Sequence, residues 1–226
     1  MDEKEKELTD KLLLDALYGN NLYCIKSICK ELNIWDSYSE QQQHILENIT
    51  PIDSRLNRNY SFDEGYDYDL YYNELTRKGV NDLYEIISLY KKITNTDVFI
   101  DVGSGCGKLL MNLSIISDLK TLVGLEILKE RHLYASYIKE KIMPNNKKIF
   151  LYNTDFKMFN IGIGTILFFN NMYMSSNTIN SFIDKLPSKC HIISFRDLNI
   201  DGFRNKFTLN TTIGDVKCNY YIFNKK

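Results

Sequence analysis

The chain has 226 residues, 44% of them apolar and 25% charged, enough for a full α/β domain with a sizeable core and a small extra module. Its 28 basic and 29 acidic side chains leave a net charge of −1, so any attraction to a polyanion must come from a local patch. No apolar run approaches the roughly 18 residues that a bilayer span needs, and the acidic start MDEKEKELTDK has no signal core, so an intracellular soluble protein without a membrane partner is expected.

Residues 1–60 read as a small helical region. Leu8, Leu12, Leu13, Ala16 and Leu17 recur at helical spacing, and NLYCIKSICKEL and SEQQQHILENI look like two further helices. Pro51 opens a loop that becomes acidic and tyrosine-rich over 61–75 (SFDEGYDYDLYYNEL). From residue 76 the pattern changes. A helix over 76–93 leads into the strand DVFIDV, the glycine-rich GSGCG, a helix over 107–118, the strand TLVGLE and a helix over 128–142. KKIFLYN and TILFFN read as the third and fourth strands, followed by a helix over 176–186 and the strand CHIISF. Strands alternating with helices predict a parallel, doubly wound, Rossmann-like sheet. The last stretch, KFTLNTTIGDVKCNYYIFNKK, predicts an antiparallel hairpin turning at IGD. Residues 76–226 are therefore one α/β domain. Its five cysteines form no CxxC pair and no histidine cluster accompanies them, which argues against a zinc site or a disulfide framework.

DVGSGCG lies between a strand and a helix, where glycines let the backbone turn tightly and approach a ligand closely, with a helix N-terminus behind. The spacing is neither the dinucleotide G-x-G-x-x-G nor a nucleotide P-loop. Asp101 opens this stretch, Gly103 and Gly105 shape it, and Glu126 closes the next strand, where a carboxylate can accept two ribose hydroxyls. Asp155 follows the third strand, placed to accept from an adenine amino group, with Phe156 against the ring. Three features on three successive strand ends resemble the S-adenosylmethionine site of class I, seven-stranded methyltransferases. That family also implies the closing hairpin.

NNMY at the end of the fourth strand allows two enzyme readings. Asn170, Asn171, Met172 and Tyr173 resemble the [ND]PP[YF] of nucleic-acid amino-group methyltransferases but lack both prolines. The fuller resemblance is to the disruptor-of-telomeric-silencing family, non-SET methyltransferases of nucleosomal histone H three lysine. It rests on DVGSGCG, VGLE, TDF, FFNN, the paired tyrosines of KCNYYIFN, and YNEL, which resembles the family's Y-G-E loop. The resemblance implies that Glu74 reaches the methionine moiety of S-adenosylmethionine and that Asn170, beside the cofactor, and Tyr220 line a channel for the lysine amine. Departures are Asn73 in place of the glycine of Y-G-E, Ile213 in place of a channel-wall aromatic, and no long basic tail. From residue 151 onward there are nine basic and five acidic residues, a surplus that could support weak DNA contact. The resemblance thus implies a histone or nucleosome as partner and a chromatin-containing compartment such as the nucleus. A non-catalytic scaffold of the same fold is the reading from another class, and intact Asp101, Gly103, Gly105, Glu126 and Asp155 argue against it.

Overall fold

A computed structural model describes residues 73–143 and 145–225. The helical region expected over 1–60, and the acidic loop over 61–75 up to residue 72, lie outside the described residues.

The described chain runs α1 (Arg77–Tyr90), β1 (Val98–Val102), α2 (Lys108–Ile116), β2 (Thr121–Glu126), α3 (Lys129–Ile142), β3 (Ile149–Asn153), two single-turn 3₁₀ segments, β4 (Ile166–Phe169), α4 (Ser176–Asp184), β5 (Lys189–Ser194), β6 (Phe203–Thr211) and β7 (Gly214–Asn224). One seven-stranded sheet has the order β3-β2-β1-β4-β5-β7-β6. The first five strands are parallel, and β7 runs antiparallel to both of its neighbours. This is the doubly wound sheet with a closing hairpin that the sequence predicts. The hairpin turns one residue earlier than expected, at Thr212-Ile213. Gly214 pairs with Thr211 as the first residue of β7 and carries the positive φ of 112°.

Alternation along each strand sorts apolar side chains into two layers, one on each face of the sheet. In β1, Phe99 joins α1 and α2 in one layer with Val80, Leu83, Leu110 and Leu113, while Ile100 and Val102 join the other with Leu167, Phe169 and Ile192. Phe182 of α4 stacks on Phe169 with ring centroids 3.9 Å apart, closing the second layer.

Helix α1 matters for what lies before it. Thr76 caps it by accepting from the Gly79 amide at 3.2 Å, while its own hydroxyl reaches Asn210 Oδ1 of β6 at 2.6 Å. A Cβ on Gly79 would lie 2.0 Å from the Asn210 carbonyl oxygen, so only glycine lets the helix start this close to the hairpin. The hairpin also holds the preceding residues: Leu75 bridges Thr211, and Thr212 N–H donates to the Glu74 carbonyl at 2.9 Å. Glu74 is thereby fixed to the frame of the domain.

Candidate active site

The order β2-β1-β4 places a topological switch between β1 and β4, where successive connections leave the sheet in opposite directions. A chamber opens there at the carboxyl ends of the strands. Glu74, Asp101, Gly103, Gly105, Glu126, Asp155, Phe156 and Asn170 all line it.

The loop after β1 is held in a left-handed course by three glycines, with φ of 85° at Gly103, 53° at Gly105 and 75° at Gly107. Gly103 and Ser104 donate their amides to the Leu125 carbonyl at 2.9 and 3.0 Å, which ties the loop to β2. Glu126, almost fully buried, accepts from Gly105 N–H through one oxygen and from Leu128 N–H through the other, both at 2.8 Å. A Cβ on Gly103 would meet nothing nearer than Met174 Cε at 3.8 Å, so the loop's front is open to a ligand.

Two buried carboxyls share this floor. Burial pushes Asp101 up to about 8, with the charge of Glu126 adding to the shift. Burial pushes Glu126 up as well, opposed by the Leu128 amide, the nearby Arg131 guanidinium and the Gly105 amide. Asp101 therefore holds the proton near neutral pH and Glu126 is the better carboxylate. Because the folded value for Asp101 lies above its ordinary 3.8, its contribution to stability is full below about pH 4 and is lost as pH rises through 8. Two outcomes follow. A cationic ligand in the chamber should displace about one proton near pH 7, read by calorimetry in buffers of different ionisation heat. Asp101→Asn should abolish that release and raise the melting temperature of the ligand-free protein by about 5 °C at pH 9, progressively less as pH falls, and not at all below about pH 4. Equal proton release in wild type and variant would remove Asp101 from this role.

After β3, Asp155 caps the first 3₁₀ turn by accepting from Lys157 N–H at 2.8 Å, and buried Phe156 packs edge-on to Phe169 and Phe182. The two asparagines after β4 part company. Asn171 is wholly buried, accepts from Arg196 N–H at 2.8 Å and donates to the Arg196 carbonyl at 3.4 Å, stitching the β4 end to the β5 end. Asn170 instead lines the chamber and donates its Nδ2 to the Asn73 carbonyl at 3.3 Å, among Phe168, Tyr173, Met174 and Phe195.

Tyr220 is not brought into the chamber, contrary to the expectation. It is fully buried in the first layer, stacked on Tyr90 at 4.7 Å, and its hydroxyl meets His191 Nδ1 at 2.8 Å. His191 lies near the start of β5, so the hydroxyl points towards the end of the sheet opposite the chamber. Ile213, expected at the channel wall, is 56% exposed at the hairpin tip and is not among the chamber residues. Sequence reading passed over Lys108 and Arg131, both of which line the chamber. Lys108 Nζ pairs with Glu74 Oε2 at 2.8 Å. Its signal was available: a cation as the first residue of a helix, directly behind a glycine loop, opposes the helix dipole.

The family described as histone methylation protein DOT1 matches residues 48–221. The chain belongs to the DOT1 family. Among solved structures, this DOT1-family chain resembles an RNA methyltransferase from Salinibacter ruber in complex with S-adenosyl-L-homocysteine (17% identity, 65% of this chain and 91% of that one, TM-score 0.51). It also resembles magnesium protoporphyrin IX methyltransferase from Synechocystis PCC 6803 with bound SAM (12% identity, 66% and 79%, TM-score 0.54). A third likeness is to the B. subtilis M1A22 tRNA methyltransferase TrmK (17% identity, 62% and 65%, TM-score 0.51). At such identities these structures speak to fold, which is that of class I methyltransferases. Among curated proteins no sequence match is found. DOT1 membership and the class I fold together make the chain a methyltransferase dependent on S-adenosylmethionine.

Proposed function

We propose that the chain is a protein-lysine N-methyltransferase acting on a histone lysine in the nucleosome. The observation that carries this reading is the setting of Asn170: a neutral amide at the end of β4, its Nδ2 on the Asn73 carbonyl, in a chamber that Phe168, Tyr173, Met174 and Phe195 also line.

The chamber's residues fit the cofactor. Glu126 at the end of β2 suits the ribose hydroxyls, Asp155 and Phe156 suit the adenine, the open front of Gly103 admits a close backbone approach, and Glu74 suits a cationic amine. When bound, S-adenosylmethionine supplies an electrophilic methyl group on a sulfonium. What the chain's residues must do is position and dehydrate the acceptor. A lysine ammonium has no lone pair, and its pKa of about 10.4 in water must fall before it can attack. The apolar and neutral wall around Asn170 disfavours the charged form by desolvation. Asn170 spends its Nδ2 on the Asn73 carbonyl, so its Oδ1 is the acceptor left to orient the lysine Nζ–H. A carboxylate in that place would hold the ammonium protonated; an amide does not. The nine basic against five acidic residues from 151 onward support weak contact with nucleosomal DNA, and the compartment would be one that holds chromatin.

Tyr173 in the chamber wall favours one second reading, stacking of a flipped base for transfer to a nucleic-acid amino group. Transfer of a labelled methyl to nucleosomes, free histones, RNA and DNA offered in parallel separates the two. Label on a nucleosomal histone lysine, lost with Gly105→Arg, is the expected result. Label on RNA or DNA would replace the lysine reading with the base reading. Cofactor binding without transfer to any of the four would point to a substrate or partner outside those offered, and absence of cofactor binding would favour the scaffold reading.

A further inference from the structure

The Glu74–Lys108 ion pair stands inside the chamber, mostly shielded from water, with side-chain exposures of 13% for Glu74 and 18% for Lys108. Each partner is held by its own framework. Glu74 is fixed through its backbone, which donates to Thr212 Oγ1 at 3.2 Å and accepts from Thr212 N–H at 2.9 Å. Lys108 is the first residue of α2. A cation there is poorly matched to a helix N-terminus, whose free amides and dipole favour an anion.

A third group completes the arrangement. Asn73 lines the same chamber, and its Nδ2 is buried without a hydrogen-bond partner among the described residues. The Thr212 hydroxyl accepts from Glu74 N–H at 3.2 Å and donates to Asn73 Oδ1 at 3.1 Å, which leaves Nδ2 as the orphan. Buried donors without acceptors are rare, and this one borders a ligand chamber.

We propose that the Glu74–Lys108 pair holds the place of the cofactor's amino-acid end. On binding, Glu74 exchanges Lys108 for the α-ammonium, and Lys108, joined by Asn73 Nδ2, takes the α-carboxylate. This assignment rests on the S-adenosylmethionine reading and extends it to two residues, Lys108 and Asn73. The exchange preserves charge pairing on both sides, because a zwitterion replaces one internal ion pair by two. It also places an anion where the α2 N-terminus favours one and gives the orphan donor an acceptor. A ligand lacking the carboxylate would free Lys108 from Glu74 with nothing to receive it.

The test is calorimetric binding of S-adenosylhomocysteine and of its decarboxylated analogue to the full chain. Wild type should prefer the carboxylate-bearing nucleoside by about 30-fold, within the range of charge-assisted hydrogen bonds. Lys108→Gln should compress the preference to about threefold, chiefly by weakening S-adenosylhomocysteine. Lys108→Arg should restore most of it, and Asn73→Ala should lose about threefold of it. The wild-type preference should shrink as salt rises. Equal weakening of both nucleosides by Lys108→Gln, with the preference intact, would overturn the proposal and make the pair a brace for the loop. Wild type that binds neither nucleoside would overturn the cofactor reading itself, a result distinct from the first.

Discussion

Asn170→Ala should lower kcat for methyl transfer by about 10²-fold while leaving stability within about 1 kcal/mol, and Asn171→Ala should do the reverse, costing about 2–4 kcal/mol. The two side chains have the same chemistry and adjacent positions, so the contrast isolates what placement does. Asn171 is fully buried and accepts the Arg196 N–H, so its truncation empties a buried site and strands that amide, while the Arg196 carbonyl keeps the Ser194 hydroxyl at 2.8 Å. Asn170 makes one long bond to the Asn73 carbonyl from a half-buried position, and losing it removes little from the fold. Its Oδ1 is the part that the transition state would use. Steady-state transfer with saturating cofactor, alongside urea unfolding, reads both quantities. Asn170→Asp sharpens the result: a carboxylate would stabilise the substrate ammonium, so the rate should fall as far at pH 7 and recover as pH rises. Wild-type kcat in Asn170→Ala would remove Asn170 from the chemistry and leave it as a loop contact.

These asparagines also mark where the sequence is readable and where it is not. Strand ends, the glycine loop and the carboxylate closing β2 are local features, because a parallel sheet with right-handed crossovers delivers every carboxyl end to the same edge. Asp101, Gly103, Gly105, Glu126 and Asp155 could therefore be placed together from spacing alone, and the structure gathers them. Side-chain direction is not local in that sense. The paired tyrosines of β7 face opposite layers: Tyr220 packs with Phe99 and Leu83, while Tyr221 packs with Phe169 and donates to Asp197 at 2.8 Å. Resemblance named Tyr220 as a channel residue, but packing against Tyr90 and the bond to His191 turn it towards the far end of the sheet. Lys108 went unnoticed for a different reason. Its partner is 34 residues earlier in the chain, and only the hairpin's hold on Glu74 brings the two within 2.8 Å.

Glu126 should show the largest loss of cofactor affinity, and the comparison of two variants separates its two duties. Glu126→Ala removes the acceptor for the Gly105 and Leu128 amides together with the proposed ribose ligand, so S-adenosylhomocysteine binding should weaken by more than about 10²-fold. The stability effect is a contest. Stranding two buried amides costs about 1–3 kcal/mol each, but deleting a buried carboxylate also relieves its own desolvation and its repulsion of Asp101. The relief counts only where the carboxyls are charged, so the alanine variant should be most destabilised near pH 5 and least near pH 9. Glu126→Gln keeps one acceptor oxygen for the loop and replaces the other with a donor, so it should fold better than the alanine variant yet bind about 10- to 100-fold more weakly than wild type. Hydrogen exchange at the Gly105 and Leu128 amides would report the loop, and calorimetry the ligand. A glutamine variant with slow exchange and wild-type affinity would make Glu126 a brace for the glycine loop and nothing more. Slow exchange with affinity lost would show the carboxylate acting on the ligand itself, through the charge that the buried floor otherwise works to suppress.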